Sequence, residues 1–289
     1  MKNSEITDSL FLEAVESIDS GNTTLLESLL AKNPRLVNGR LSHPGGDYFQ
    51  HPYLLWFVAD NPIRIGKLPP NIMDISRLLI QAVKREASGS AQDQLDYTLG
   101  LVATGRIPRE CGVQIEMIDM LIDAGAKPGG CLGALAHGNT AAAGYLIEKG
   151  GQLTLASAVG LDRMSDVIRL APSANEDEQL TALTVAGFYG KPRLISFLLG
   201  MGVNPNGYPE NDHGFHAHAT PLHQAIFSGS LDSVKLLVEA GAKLNSRDKV
   251  YDGTPLGWAE YMQNEEVDEI AKKKFALIAD YLREKKQAI

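Results

Sequence analysis

Residues 220–245, TPLHQAIFSGSLDSVKLLVEAGAKLN, constrain the fold of this chain more than any other stretch. Thr220 suits a helix N-cap, and Pro221 suits the first helical position, where a missing N–H costs nothing. Leu222, Ala225 and Ile226 share one helical face, and Gly229 ends the helix. Leu231, Val234, Leu237 and Val238 form a second apolar stripe, closed by Gly241. Two helices this short cannot bury both apolar faces alone, so the pattern predicts further copies stacked against them.

Further copies are present. The segment from Thr181 to Asn206 aligns without a gap: Thr181 on Thr220, Leu183 on Leu222, Ala186 on Ala225, Gly190 on Gly229, Ile195 on Val234 and Gly202 on Gly241. A third copy opens at Thr254, Pro255 and Leu256, with Ala259 in the alanine position. The pattern resembles the ankyrin repeat, a unit of about 33 residues with a TPLH-type opening. Thr220, Pro221, Leu222, His223, Ala225, Gly229, Leu237, Gly241, Ala242 and Asn245 carry that resemblance. Weaker echoes run back to the N-terminus: IDMLIDAGAKP at 118–128, ISRLLIQAV at 75–83, AGYLIEKGG at 143–151 and LTLASAVGLDRMSDVIRL at 153–170. Residues 11–38 resemble the opening repeat of bacterial ankyrin arrays. The resemblance implies an all-α ankyrin-repeat solenoid of about eight helix–turn–helix units with short or irregular fingers. It implies a single body over 1–289, with repeats near 8–38, 50–85, 93–128, 130–151, 153–172, 180–206, 219–245 and 254–287. Glu265, Glu266, Asp268 and Glu269 near the start of the last helix, and Arg283, Lys285 and Lys286 near its end, complement its dipole and suit a polar outer cap.

Bulk properties narrow the partners. The net charge is −8, and the one lysine cluster is Lys272, Lys273 and Lys274, so the basic stripe that nucleic acid requires is missing. No apolar run approaches the ~20 residues of a bilayer span, and the acidic start lacks the order of a secretory signal. Cys111 and Cys131 are the only cysteines and have no metal-ligand spacing, which points to a reduced cytoplasm. No phosphate loop, nucleophile elbow or metalloprotease helix occurs, so neither catalysis nor a cofactor is implied.

Departures from the repeat period are the functional clues. The interval from Gly125 to Gly150 is 25 residues, which predicts truncated fingers in mid-array. The interval from Gly190 to Gly229 is 39 residues, and its excess lies in the finger 203–219, where Tyr208 and Phe215 read as exposed. The connection 38–50 reads as another long finger. Insertions at 60–71 and 104–112 each combine an arginine, an isoleucine and a proline; as loops of neighbouring repeats they are expected to touch. The final repeat is also lengthened. Loops on rigid scaffolds carry function more often than cores do, although surface loops also grow at little thermodynamic cost.

His213, His216 and His218 in the long finger leave two readings open. Imidazoles so close in sequence suit a divalent metal, but no ligand spacing repeats, and the favoured reading is a polar, aromatic-tipped contact loop with the metal site as its alternative. The resemblance gives His223 a structural role, bonding backbone and the threonine hydroxyl. Tyr53, Trp56 and Phe57 read as core, whereas Trp258 lies one residue before a core alanine and can face outward. Cys111 follows Arg106 and Arg109, which would favour its thiolate, but no histidine lies near in sequence.

Together these features predict a non-catalytic module that binds an unidentified protein through fingers and first helices. The expected contacts are Tyr208, His213, Phe215, His216, Arg247, Tyr251 and Trp258. Two alternatives remain: a metal-binding sensor or enzyme built on His213, His216 and His218, or a dedicated inhibitor of the antitoxin or immunity type. No nucleic acid, membrane or small-molecule substrate is expected.

Overall fold

The computed structural model describes residues 3–42, 48–210 and 214–287. Among these residues all regular structure is helical, and the chain divides into two compact units, Met1–Gln152 and Leu153–Ile289.

The first unit contains helices α1 (Ser9–Ser20), α2 (Thr23–Lys32), α3 (Arg35–Asn38), α4 (Ile72–Glu86), α5 (Ala91–Thr104), α6 (Arg106–Glu110), α7 (Gln114–Ala124), α8 (Cys131–Ala136) and α9 (Thr140–Glu148). The HPYLLWFVA segment forms a 3₁₀ turn, Leu54–Ala59, and every residue of that turn is buried. Helix α4 shows how sequence dictates packing here: Ile72, Ile75, Leu79 and Val83 recur at three- and four-residue spacing and are all buried.

The insertions at 60–71 and 104–112 do meet: the Asn61 amide donates to the Leu101 carbonyl and the Thr104 hydroxyl. They are not equivalent loops, however. Residues 106–110 form helix α6, burying Ile107 and Pro108 while Arg106 faces solvent beside Glu110. Arg64 instead turns inward. Its side chain is 3% exposed, it clamps Asp19 at 2.9 and 3.0 Å, and it lies 4.9 Å above the Phe57 ring. Asp60, also buried, accepts the backbone N–H groups of Arg64, Ile65 and Gly66, which folds the insertion back on itself.

The second unit contains α10 (Leu155–Gly160), α11 (Met164–Leu170), α12 (Glu176–Phe188), α13 (Pro192–Gly200), α14 (Pro221–Phe227), α15 (Leu231–Glu239), α16 (Pro255–Glu265) and α17 (Glu269–Gln287). The 220–245 segment folds as its punctuation predicts. Leu222, Ala225, Ile226, Val234 and Leu237 are buried, and Gly229 and Gly241 end their turns with φ of +70° and +90°. Helices α12 and α14 approach closely because Gly187 lacks a Cβ; one placed there would lie 2.7 Å from the Pro221 carbonyl oxygen. The final repeat differs in its first helix, since α16 runs for 11 residues where α14 has 7. Asp268 then caps α17 by accepting from Ile270 and Ala271, and Phe275, Ile278, Ala279 and Leu282 form its buried face.

Candidate protein-binding groove

The sequence features with most chemistry converge on the first helices α14 and α16 and on the fingers before them. One buried carboxylate organises the later finger. Asp248 Oδ1 accepts from the backbone N–H groups of Val250 and Tyr251 at 3.0 and 2.6 Å, while Oδ2 accepts from Gly253 N–H at 2.8 Å and Trp258 Nε1–H at 3.0 Å. Burial alone would raise its pKa, but these hydrogen bonds outweigh burial and hold the group at about 2. Asp248 therefore fixes both the path of the finger and the orientation of the Trp258 indole.

The earlier finger is pinned by Gln224 on α14. Its buried amide donates to the Phe215 and His216 carbonyls at 2.6 and 3.2 Å, and its Oε1 accepts from His216 Nδ1–H at 3.3 Å. His216 adopts φ of +47° in that turn, and burial, chiefly, lowers its pKa. His223 is fully buried beneath, with Nε2–H donating to the Gly253 carbonyl at 3.2 Å and Nδ1 meeting the Thr220 hydroxyl at 2.8 Å. The structural role that the repeat resemblance gave His223 is thus present in the geometry.

Above this frame, His216, His218, Phe227, Tyr251, Trp258 and Tyr261 surround a groove of about 540 Å³, with Met262 and the backbone of Gly253 and Gly257 completing its walls. Tyr251 is 76% exposed, Tyr261 62% and Phe227 36%. Five of these rings form a continuous set: His216 lies 5.0 Å from Phe227, 5.9 Å from Trp258 and 5.6 Å from His218, and His218 lies 5.7 Å from Tyr251.

Three of the residues expected from sequence, His216, Tyr251 and Trp258, therefore come together, joined by His218. Tyr208 and Arg247 lie outside the groove wall and tie the two fingers to each other. The Tyr208 hydroxyl donates to the Arg247 carbonyl at 2.7 Å, and Arg247 pairs with Asp252 at 2.6 Å. Phe215 corrects the expectation of exposure: it is 2% exposed, packed edge-on against Phe188 at 5.1 Å. A turn-rich neighbourhood concealed that the half-buried Phe188 of α12 packs against it. His213 lies outside the described residues. Among those described, no group of three or more His, Cys, Asp or Glu side chains is placed to hold a metal ion.

Phe227, Tyr261 and Met262 were missed, although the repeat register contains a signal for two of them. Phe188, Phe227 and Tyr261 each stand seven residues after the threonine that opens their helix pair, Thr181, Thr220 and Thr254. Equivalent positions on stacked first helices form a ladder, and Phe188 and Phe227 do stack, 5.4 Å apart. The longer α16 places Tyr261 and Met262 on the same wall as Trp258, three and four residues further along the helix.

The first unit has a larger groove of about 1040 Å³, lined by Arg40, Trp56, Asp93, Tyr97, Lys127 and His137 among others. Trp56 and Tyr97 stack at 4.0 Å there, and Arg40 lies over Tyr53 and Trp56. Its charges are of both signs, so it selects no particular partner charge. Among the described residues no helix is long and apolar enough to cross a membrane.

A family model of ankyrin repeats, three copies, matches residues 110–248. An ankyrin repeat-containing protein of Schizosaccharomyces pombe is 36% identical over 80 residues, covering 27% of this chain and 35% of the relative. The chain thus spans about a third of the length of the curated relative it matches.

Proposed function

From the premise that this chain is an ankyrin-repeat protein, we infer that it acts as a non-catalytic protein-binding module whose contact surface is the aromatic groove between residues 216 and 262. Ankyrin repeats are generally protein-interaction modules, and the S. pombe relative shares the repeat. One observation carries the assignment to this groove: Phe227, Tyr251 and Tyr261 keep large apolar surfaces in solvent around Trp258, on a frame that does not need them for its core. Exposed aromatic side chains clustered around a concavity are where binding energy concentrates in protein interfaces. The frame is preorganised by Asp248, Gln224 and His223, so little side-chain order remains to be imposed on binding.

The test compares immobilised full-length wild type with a Tyr251→Ala/Trp258→Ala double variant of matched circular dichroism. A partner captured by the wild type is expected to fall at least about tenfold on the variant, as truncation of interface hot spots does. Unchanged capture of every partner by the double variant would place the contact surface elsewhere.

A further inference from the structure

We propose that the aromatic groove receives the side chain of a lysine or arginine presented by a peptide segment of the partner. The proposal rests on the groove being the protein-binding surface and specifies the chemistry of what enters it.

Three observations converge. The first is the wall itself. Phe227, Tyr251, Trp258 and Tyr261 turn around one space of about 540 Å³. The face of an aromatic ring carries negative electrostatic potential, strongest for an indole, and attracts ammonium and guanidinium groups.

The second is the absence of competing cations. Among the described residues no lysine or arginine lines the groove; the other lining groups are two imidazoles, a thioether and glycine backbone. His216 donates from Nδ1 to Gln224, and its burial disfavours the charged ring. Nearby cations are engaged elsewhere: Arg247 with Asp252, and Lys249 over the Tyr208 ring at 4.4 Å.

The third is a negative charge behind the wall. The Asp248 carboxylate is buried, accepts the Trp258 indole N–H at 3.0 Å, and lies 3.9 Å from His218 Nε2. Among the described residues no lysine or arginine forms an ion pair with it. Apart from the His218 imidazole at 3.9 Å, its charge is met by N–H dipoles. An indole that donates to an anion is enriched in π electron density, and the carboxylate also attracts a cation through the partly dry wall. An apolar side chain would gain burial but nothing from this charge, and a partner carboxylate would be repelled. The chain's net charge of −8 steers the same class of partner.

The probes are four blocked pentapeptides, Gly-Gly-X-Gly-Gly, with X lysine, arginine, norleucine or glutamate. They are titrated into the full-length protein at constant ionic strength and followed by the assigned Trp258 indole resonance. The lysine or arginine peptide is expected to shift that resonance with an apparent Kd at least about tenfold below that of the norleucine peptide, and the glutamate peptide to leave it unmoved. Tyr251→Leu, on an exposed side chain whose loss leaves the core intact, is expected to shrink the lysine-to-norleucine ratio several-fold. Asp248→Asn is expected to do the same where it folds. Equal or tighter binding of norleucine overturns the proposal while leaving an apolar protein-binding groove. No shift with either cationic peptide up to about 10 mM also overturns it, because a cation held by several rings and a carboxylate should register in that range. The capture experiment with the double variant decides separately whether the groove binds protein at all.

Discussion

Lowering the pH should selectively weaken the second unit through His223. Its Nε2–H donates to the Gly253 carbonyl, so Nδ1 is the acceptor that faces the Thr220 hydroxyl and, at 3.4 Å, the Thr220 N–H. A proton on Nδ1 would turn an acceptor into a donor opposite a backbone N–H that cannot rotate away. Burial is the main reason its pKa falls, to about 4; the Gly253 bond and Asp248 oppose the fall, and His218 adds to it. The unfolded chain protonates near 6.5, so above that value the neutral folded imidazole costs nothing. As the pH drops from 6.5 towards 4 the unfolded state binds a proton that the folded state refuses, and stability is lost. At pH 4.5 the two pKa values imply a loss of about 2.5 kcal/mol from this residue. Asp248 contributes only further down: its folded value of about 2 makes its share disappear below the ordinary carboxylate range near 4. Urea unfolding followed by the Trp258 resonance at pH 7 and pH 4.5, for wild type and His223→Gln, isolates the His223 share from that of His216. The wild type should lose about 2 kcal/mol more than the variant between those two pH values. Equal losses, or an NMR titration of the His223 ring centred near 6.5, would refute the reasoning.

Three further substitutions test the packing. Arg64→Leu leaves the Asp19 and Asp60 carboxylates without their cation and should cost about 3–5 kcal/mol in urea unfolding; a loss below about 1 kcal/mol would mean that water already screens the pair. Gly187→Ala drives a Cβ against the Pro221 carbonyl and Ala225 N, both rigid backbone, and should cost about 1–3 kcal/mol. The same change at Gly100, mid-helix in α5 with nothing within 4 Å of the new Cβ, should instead stabilise by about 0.5–1 kcal/mol in the same assay.

The helix pair at 220–245 was legible because each requirement is local. A cap, an apolar spacing and a terminal glycine lie within a few residues of the turn they control. The same locality explains why Thr254 and Pro255 announced α16, and Thr254 does accept from the Gly257 N–H at 3.1 Å. Arg64 was not legible in this way. An arginine in a proline-rich insertion reads as solvated, and its burial is made tolerable by Asp19, 45 positions earlier, together with Asp60. Phe215 misled for a related reason. Turn formers around it describe the backbone path, whereas its burial depends on Phe188 from the preceding repeat.

The groove sits between these two cases, which explains why it was half seen. His216, Tyr251 and Trp258 stood out one at a time as residue types that suit contact. What gathers them is the Asp248 carboxylate, whose sequence setting, SRDKVYDG, reads as an ordinary charged turn. Its four donors include three backbone N–H groups of its own loop, which become available only when that loop closes. The fourth donor, the Trp258 indole, then couples loop closure to the orientation of the largest ring in the groove. The aromatic ladder of Phe188, Phe227 and Tyr261 was available from the repeat register, because the threonines that fix that register are unambiguous. Reading it requires comparing equivalent positions across repeats for what faces outward as well as for what packs inward. In a stacked array the core positions repeat because folding demands it. An outward aromatic repeated at one register position has no such demand behind it, and that difference separates the groove from the scaffold that carries it.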